Sequence, residues 1–266
     1  FMMHFLYLTF LSCMLNFIAC EPAFDYQSSS PTQFLAAADN QIGVTEAAVA
    51  NNIIFQSVDG GLTWNDISKG LPQNEQSDAF FVDESTLYLR IKNEIYKSKL
   101  NTSIWEKVVG FNAEGPILKN GWSKDMVEYE GVLIGKSQQG IIRSTDNGES
   151  WESVISEGGV GIAVENIDGG VAVISYNTES KTRRVRITLD KGKTWEAIDE
   201  GLPPSLSISS IIQMGEYFIC GHPDGIFRTS DMGKTWEKIL PSVDEKVFNV
   251  YKSGKVLYAL PRVGGC

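Results

Sequence analysis

Thr229-Ser230-Asp231-Met232-Gly233-Lys234-Thr235-Trp236 has the form Ser/Thr-x-Asp-x-Gly-x-Ser/Thr-Trp, and the chain repeats it. The same form stands at Ser57-Val58-Asp59-Gly60-Gly61-Leu62-Thr63-Trp64, at Ser144-Thr145-Asp146-Asn147-Gly148-Glu149-Ser150-Trp151 and at Thr188-Leu189-Asp190-Lys191-Gly192-Lys193-Thr194-Trp195. A worn copy runs from Ser98 to Trp105, with Leu100 in place of the Asp and Ser103 in place of the Gly. The residue types explain one another. An Asp side chain bonds backbone N–H groups just ahead and closes a tight turn. The Gly takes the left-handed conformation that a Cβ disfavours. The Ser or Thr on each side bonds across the turn. The Trp, large and apolar with one N–H, is expected to pack under the hairpin against the next unit. Loss of such a buried Trp costs about 3–5 kcal/mol.

The Trp positions 64, 105, 151, 195 and 236 are 41, 46, 44 and 41 residues apart. A period near 40 with one hairpin signature per unit is the mark of a propeller or an array. Between the boxes lie short apolar or alternating runs closed by Gly, Asn, Asp or Pro. Examples are Ala79–Val82, Thr86–Ile91, Val132–Ile134, Val171–Ser175 and Tyr217–Cys220. They read as strands, and no long helical period competes with them. Gly70-Leu71-Pro72 and Gly201-Leu202-Pro203 follow their Trp at the same interval.

The four intact boxes closely resemble the Asp-box (BNR) repeat of the sialidase-like and sortilin-like superfamily, including exported bacterial lipoproteins. The resemblance implies an all-β β-propeller of four-stranded blades. It also implies that each box lies on a rim turn away from the central site, so that Asp59, Asp146, Asp190, Asp231 and Trp64, Trp105, Trp151, Trp195, Trp236 are structural. After Trp236 the chain supplies two more strand-like runs, Val247–Tyr251 and Val256–Leu260, without a box. These are expected to complete the blade of Trp64 by pairing N- and C-terminal strands, which hides the open edges and makes five blades. If Phe34–Ala38 and Val44–Ala50 are also inner strands, the count rises toward six.

The 266-residue chain carries 33 acidic and 23 basic side chains, a net charge of −10. That excess argues against nucleic acid or an anionic membrane surface as partner. Phe5–Ala19 is apolar and ends at Cys20. It is short for a membrane span and reads as an export signal over residues 1–20. Phe17-Ile18-Ala19-Cys20 resembles a lipobox, which implies lipidation at Cys20; the alternative is an ordinary secretory signal with a coincidental Cys. Residues 21–33 read as a tether and 34–266 as the propeller.

In the resembled family, ligands bind at the channel mouth, on the loops that join blades and join second to third strands. Here those loops include Lys69–Ser77, Gly110–Asp125, Ser156–Val160 and Asp199–Ser205, which carry Glu75, Glu114, Glu157, Asp199 and Glu200. An acidic mouth could hold a cation or a basic segment of a partner; solvated loop charge is the plainer reading. Trp122, the Trp outside the box pattern, is either a stacking platform or a pin for its own loop.

A sialidase needs three Arg around a carboxylate, because guanidinium matches it bidentately, together with a Tyr–Glu pair and an Asp. An Arg-Ile-Pro motif precedes the first box in that family, and none precedes Ser57. Arg143 and Arg228 occupy equivalent repeat positions, which makes them a surface stripe. The remaining Arg are Arg90, Arg183, Arg184, Arg186 and Arg262. His222 is the one His beyond the signal, and Cys220-Gly221-His222 is not a metal spacing. Cys220 reads as core, with a disulfide to Cys266 as the alternative to two unrelated thiols. No cofactor, metal or catalytic residue is assigned. The expectation is an exported, lipid-anchored, monomeric, non-catalytic module that binds a protein or glycan at its propeller face. The alternatives are a sialidase-type glycoside hydrolase and an assembly factor for a membrane protein complex.

Overall fold

The computed structural model describes residues 51–83, 85–100, 102–109 and 124–263, all within one compact unit, Ala48–Cys266. The described residues are all-β, without helices, and form five four-stranded antiparallel sheets. Strands are numbered in chain order. The second sheet holds β3 (Ala79–Val82), β4 (Thr86–Ile91), β5 (Glu94–Lys99) and β6 (Glu106–Lys107). The third holds β7 (Met126–Tyr129), β8 (Val132–Ser137), β9 (Gly140–Ser144) and β10 (Glu152–Ile155). The fourth holds β11 (Gly158–Ile167), β12 (Gly170–Asn177), β13 (Thr182–Thr188) and β14 (Glu196–Ala197). The fifth holds β15 (Ser210–Met214), β16 (Tyr217–His222), β17 (Gly225–Thr229) and β18 (Glu237–Pro241).

The first sheet is composite, in the order β19-β20-β1-β2: β19 (Val247–Ser253) and β20 (Val256–Arg262) join β1 (Phe55–Ser57) and β2 (Asn65–Asp66). Phe55 stands opposite Ala259 and Ser57 opposite Leu257. The two ends of the described chain thus share one sheet. The expected strand 51–56 is shorter than its sequence run. Asn52 is left-handed (φ 48), and the N–H groups of Ile53 and Ile54 donate to Ser68 Oγ at 2.9 and 3.0 Å, replacing a strand ladder. Conversely, Ser156–Val160, expected as a loop, already contains the start of β11.

Each intact box closes as its residue types require. In the box of Asp190, Thr188 Oγ1 donates to Oδ1 of Asp190 (2.8 Å) and Gly192 N donates to Thr188 Oγ1 (2.8 Å). Thr194 then donates its N–H to Oδ1 (2.9 Å) and its hydroxyl to Oδ2 (2.7 Å). The Asp59, Asp146 and Asp231 boxes repeat this set. One feature departs from expectation. The residue before the Gly is also left-handed, even as Asn147 (φ 60), Lys191 (φ 64) and Met232 (φ 59). Such residues resist this conformation, so the Asp bonds hold the strained pair in place.

The Trp side chains pack on the preceding sheet rather than the next. Trp105 Nε1 donates to Ile67 O (2.7 Å) of the first sheet, and Trp236 Nε1 to Ile198 O (3.0 Å) of the fourth. Trp195 packs on a cluster containing Ile134 and Ile141, and Trp64 on one containing Ile219 and Ile226. Burial does not follow box quality: Trp105, in the worn copy, is 6% exposed, whereas Trp151 is 40% exposed and bonds Gly148 O within its own turn. The full cost of a buried Trp therefore applies to Trp105 and not to Trp151.

The reason lies in sheet order. The third, fourth, fifth and first sheets pack in succession through β7, β11, β15 and β19, and Phe80 of the second sheet stacks against Tyr251 and Tyr258 of the first. In β12, β16 and β20 nearly every residue is buried, as expected for strands covered on both faces. β4 instead alternates half-buried with buried, leaving Tyr88 half-buried and neighbouring Phe81 exposed. In the third sheet the corresponding face carries Met126, half-buried Leu133 and Trp151. The second and third sheets thus each have one face only partly covered.

Hydrogen bonds from Ser150, Thr194 and Thr235 hold the carboxyls of Asp146, Asp190 and Asp231 at about 2. At Asp59 burial pushes upward, yet the bonds from Thr63 and Ser57 still bring it to about 2. A carboxyl lowered on folding adds stability above its unfolded value, near 3.8, which is lost as pH falls toward 2. Asp190→Asn is expected to melt below the native chain at pH 7, with the gap narrowing between pH 4 and pH 2. Thermal scans at these pH values check this; a gap of constant size would show that the carboxylate charge plays no part.

Candidate functional site

The acids expected at the mouth are placed as follows. Glu75 pairs with Lys92 (2.6 Å) in the linker before β3. Glu157 receives Arg186 Nη2 (2.5 Å), whose Nη1 also donates to Ser175 Oγ (3.3 Å). Asp199, 9% exposed, accepts Arg184 Nε (2.7 Å) and Nη2 (3.0 Å) and also the N–H of Val185 (2.9 Å). That bidentate bond holds the Arg184 guanidinium above its ordinary value. Glu200 is exposed. Glu157 and Asp199 flank Arg184 together, while Glu75 stands apart on another sheet with its own partner. Three of the expected ligand contacts are therefore internal ion pairs. Trp122, Glu114, Cys20 and Cys266 lie outside the described residues, as does the export segment.

Asp199 had a legible signal. It follows Trp195 by four residues, as Ser68 follows Trp64, and each is followed by Gly-Leu-Pro at the same spacing. Ser68 Oγ accepts two backbone N–H groups, and Asp199 accepts one, from Val185, at its own sheet. Leu71 and Leu202 are both buried behind them.

His222 is 2% exposed, its Nε2–H donating to Pro203 O (2.9 Å) and its Nδ1 accepting Asp224 N–H (3.1 Å). Burial lowers its pKa below the ordinary value. With both nitrogens committed and the ring neutral, it is a buried linker between loops rather than a base. Cys220 is a buried free thiol in β16, pushed up by desolvation and so unreactive. Among the described residues no group of three or more His, Cys, Asp or Glu could hold a metal ion.

A cleft lies elsewhere among the described residues. A space of about 480 Å³ between β11, β15 and β19 is lined by Lys124, Glu165, Asn166, Ser210, Gln213 and Lys252, among others. Lys124 precedes β7 and Ser210 opens β15, while Glu165, Asn166, Gln213 and Lys252 stand on first strands near the β11–β12, β15–β16 and β19–β20 turns. The boxes occupy the same end, since Gly170 of the β11–β12 turn abuts Thr188 and Leu189. The cleft thus opens at the box end, opposite the end where the family resemblance places ligands. Its size suits a small ligand or a short segment. Its rim is stapled: Asp168 N donates to Gln213 Oε1 (2.7 Å), Lys252 Nζ to Gln213 O (2.9 Å) and Lys124 Nζ to Glu165 Oε2 (2.8 Å). Composition offered little sign of these residues, because they differ from one sheet to the next.

No family model matches the chain. No curated protein matches it. Solved structures do. A GH74 xyloglucanase from Xanthomonas campestris is similar over 65% of this chain and 32% of its own, at 19% identity and TM-score 0.36. The extracellular domain of a hybrid two component system from B. thetaiotaomicron covers 79% of this chain and 29% of its own, at 14% identity and TM-score 0.39. A Trypanosoma rangeli sialidase covers 79% and 49%, at 16% identity and TM-score 0.30. The chain spans half or less of the length of each of these structures, and at such scores none of their activities passes to it.

Asp199→Asn leaves the Arg184 guanidinium short of its partner and is expected to cost about 2–3 kcal/mol, less than a fully buried pair because Arg184 is a third exposed. Glu75→Gln is expected to change stability by less than about 0.5 kcal/mol. Urea unfolding of both variants checks the contrast; equal effects would remove the structural role assigned to Asp199.

Proposed function

We propose that the chain is a non-catalytic binding module whose ligand occupies the cleft between β11, β15 and β19. The carrying observation is that this cleft has one lining carboxylate, Glu165, already paired with Lys124. Glycoside hydrolysis needs two carboxyls flanking the bond. The cleft supplies polar hydrogen-bonding groups without that pair. Arg90, Arg184 and Arg186 are each held by their own acid, which leaves no three-Arg clamp. Export and anchoring through Cys20 are proposed from the apolar Phe5–Ala19 run that ends there.

The purified chain is expected to give no turnover of a fluorogenic sialoside and to retain a ligand on glycan or peptide arrays. Asn166→Trp, at an exposed rim position, is expected to fill the cleft and abolish that signal. Turnover lost on Glu165→Gln would establish an enzyme instead, and array binding indifferent to Asn166→Trp would remove the cleft as the site.

We also propose that the five sheets close as a five-bladed propeller, with the partly covered faces of the second and third sheets meeting. Support comes from the composite first sheet and from the four sheet-to-sheet contacts already in succession. Cysteines placed at Tyr88 and Leu133 are expected to cross-link with a short bis-maleimide, and cross-linking no faster than in a urea-unfolded control would rule the closure out.

A further inference from the structure

Seven Arg occur in the chain. Five pair with carboxylates: Arg90 with Asp78, Arg143 with Glu152, Arg184 with Asp199, Arg186 with Glu157 and Arg228 with Glu237. Among the described residues Arg183 and Arg262 have no carboxylate partner. Arg183 is 9% exposed, and its guanidinium donates to one carbonyl, Ile208 O, at 2.8 Å. Arg262 is half-buried, with its Nε enclosed and, among the described residues, without an acceptor. In a chain that carries ten more acids than bases, two guanidinium groups without a described carboxylate partner, one buried and one half-buried, are out of balance.

Other donors stand at the same junction. Asn249 is 2% exposed; its amide bonds the Tyr251 hydroxyl, and among the described residues no other acceptor meets its Nδ2. Ser77 is 5% exposed, and among the described residues its hydroxyl has no partner. The register brings these groups together. Arg262 stands opposite Val247 and Leu260 opposite Asn249, so Arg262 and Asn249 share one face of the β19–β20 pair. Val263 N donates to Gln76 Oε1 (3.1 Å), which docks the residue before Ser77 on the residue after Arg262. On the other side, Arg183 holds Ile208 O, and the next residue, Ser209, donates its hydroxyl to Phe248 O, between Val247 and Asn249. The Arg183 guanidinium is lowered by burial and then by the charge of Arg262, in keeping with their proximity.

We propose that Arg262, Arg183, Asn249 and Ser77 form a binding site for an oxyanion, the carboxylate or phosphate group of a ligand. Guanidinium, amide and hydroxyl all donate, and a buried donor without an acceptor is costly. An oxyanion is an acceptor for all of them, and it supplies the missing negative charge. The nearby acids cannot serve, since Glu75, Glu157 and Asp199 are committed to Lys92, Arg186 and Arg184. None of the four residues lines the cleft between β11, β15 and β19, so the site stands or falls separately from the reading above.

The test is thermal unfolding of the full chain in sodium acetate, sodium phosphate and sodium chloride at matched ionic strength. A rise of a few degrees over chloride is expected in acetate, in phosphate or in both, and the effective salt names the ligand group. The rise is expected to vanish in Arg262→Gln and to shrink in Ser77→Ala. In chloride, Arg262→Gln is expected to melt no lower than the native chain, because it removes a donor that has no acceptor. Equal midpoints in the three salts would overturn the site, as would a rise that survives in Arg262→Gln. An Arg262→Gln chain that melts well below the native one in chloride, or does not fold, would show the guanidinium satisfied without an anion and would overturn it too.

Discussion

One carboxylate, folded back on the turn that follows it, underlies the rest of the architecture. In each intact box the two Asp oxygens accept an N–H and a hydroxyl from the residue four positions on. That bond set holds two successive left-handed residues and so turns the chain sharply between the third and fourth strands of a sheet. A backbone pair that only Gly adopts freely is otherwise unstable with Lys191 or Met232 in it. Because the carboxylate supplies the acceptors locally, the corner needs no help from its neighbours. The sheets can then differ widely in their inner strands while keeping one common hairpin.

The next level is the Trp that ends each box. It reaches backward onto the preceding sheet, and at Trp105 and Trp236 its N–H finds a carbonyl there. Trp105 shows that the packing does not require the Asp: Leu100 replaces the carboxylate, packs on the same apolar cluster, and Ser98 bonds Thr102 O (3.0 Å) to close the turn. Trp151 shows the converse, an intact box with its Trp 40% exposed. Box chemistry and box packing are therefore separate constraints. The first is local and the second depends on what lies opposite.

That separation explains what could be read in the sequence. The four-stranded repeat was legible, because Trp spacing and the Ser/Thr-x-Asp-x-Gly pattern are local signals with a mechanism. The composite first sheet was legible from two strands left over after Trp236. The ion pairs of Glu157 and Asp199 were not, because their partners Arg186 and Arg184 lie 29 and 15 residues away, and only the place of Asp199 before Gly-Leu-Pro, like that of Ser68, hinted at its backbone bond. The cleft was missed for a related reason: Glu165, Gln213 and Lys252 come together only when three first strands are laid side by side. The left-handed conformation of Lys191 and Met232 had no side-chain signature at all.

The composite sheet also has a bearing on time. Ser57 faces Leu257, two hundred positions along the chain. At ribosomal speeds of about 5–20 residues per second, β1 and β2 wait roughly 10–40 s for their partners to be made. During that interval β1 presents an open edge, the kind of surface that pairs wrongly with other strands. Its brevity, three residues followed at once by a self-closing corner, limits what such an edge can capture. Among the described sheets, the earliest to be started is thus the last to be finished, and the short β1 suits that delay.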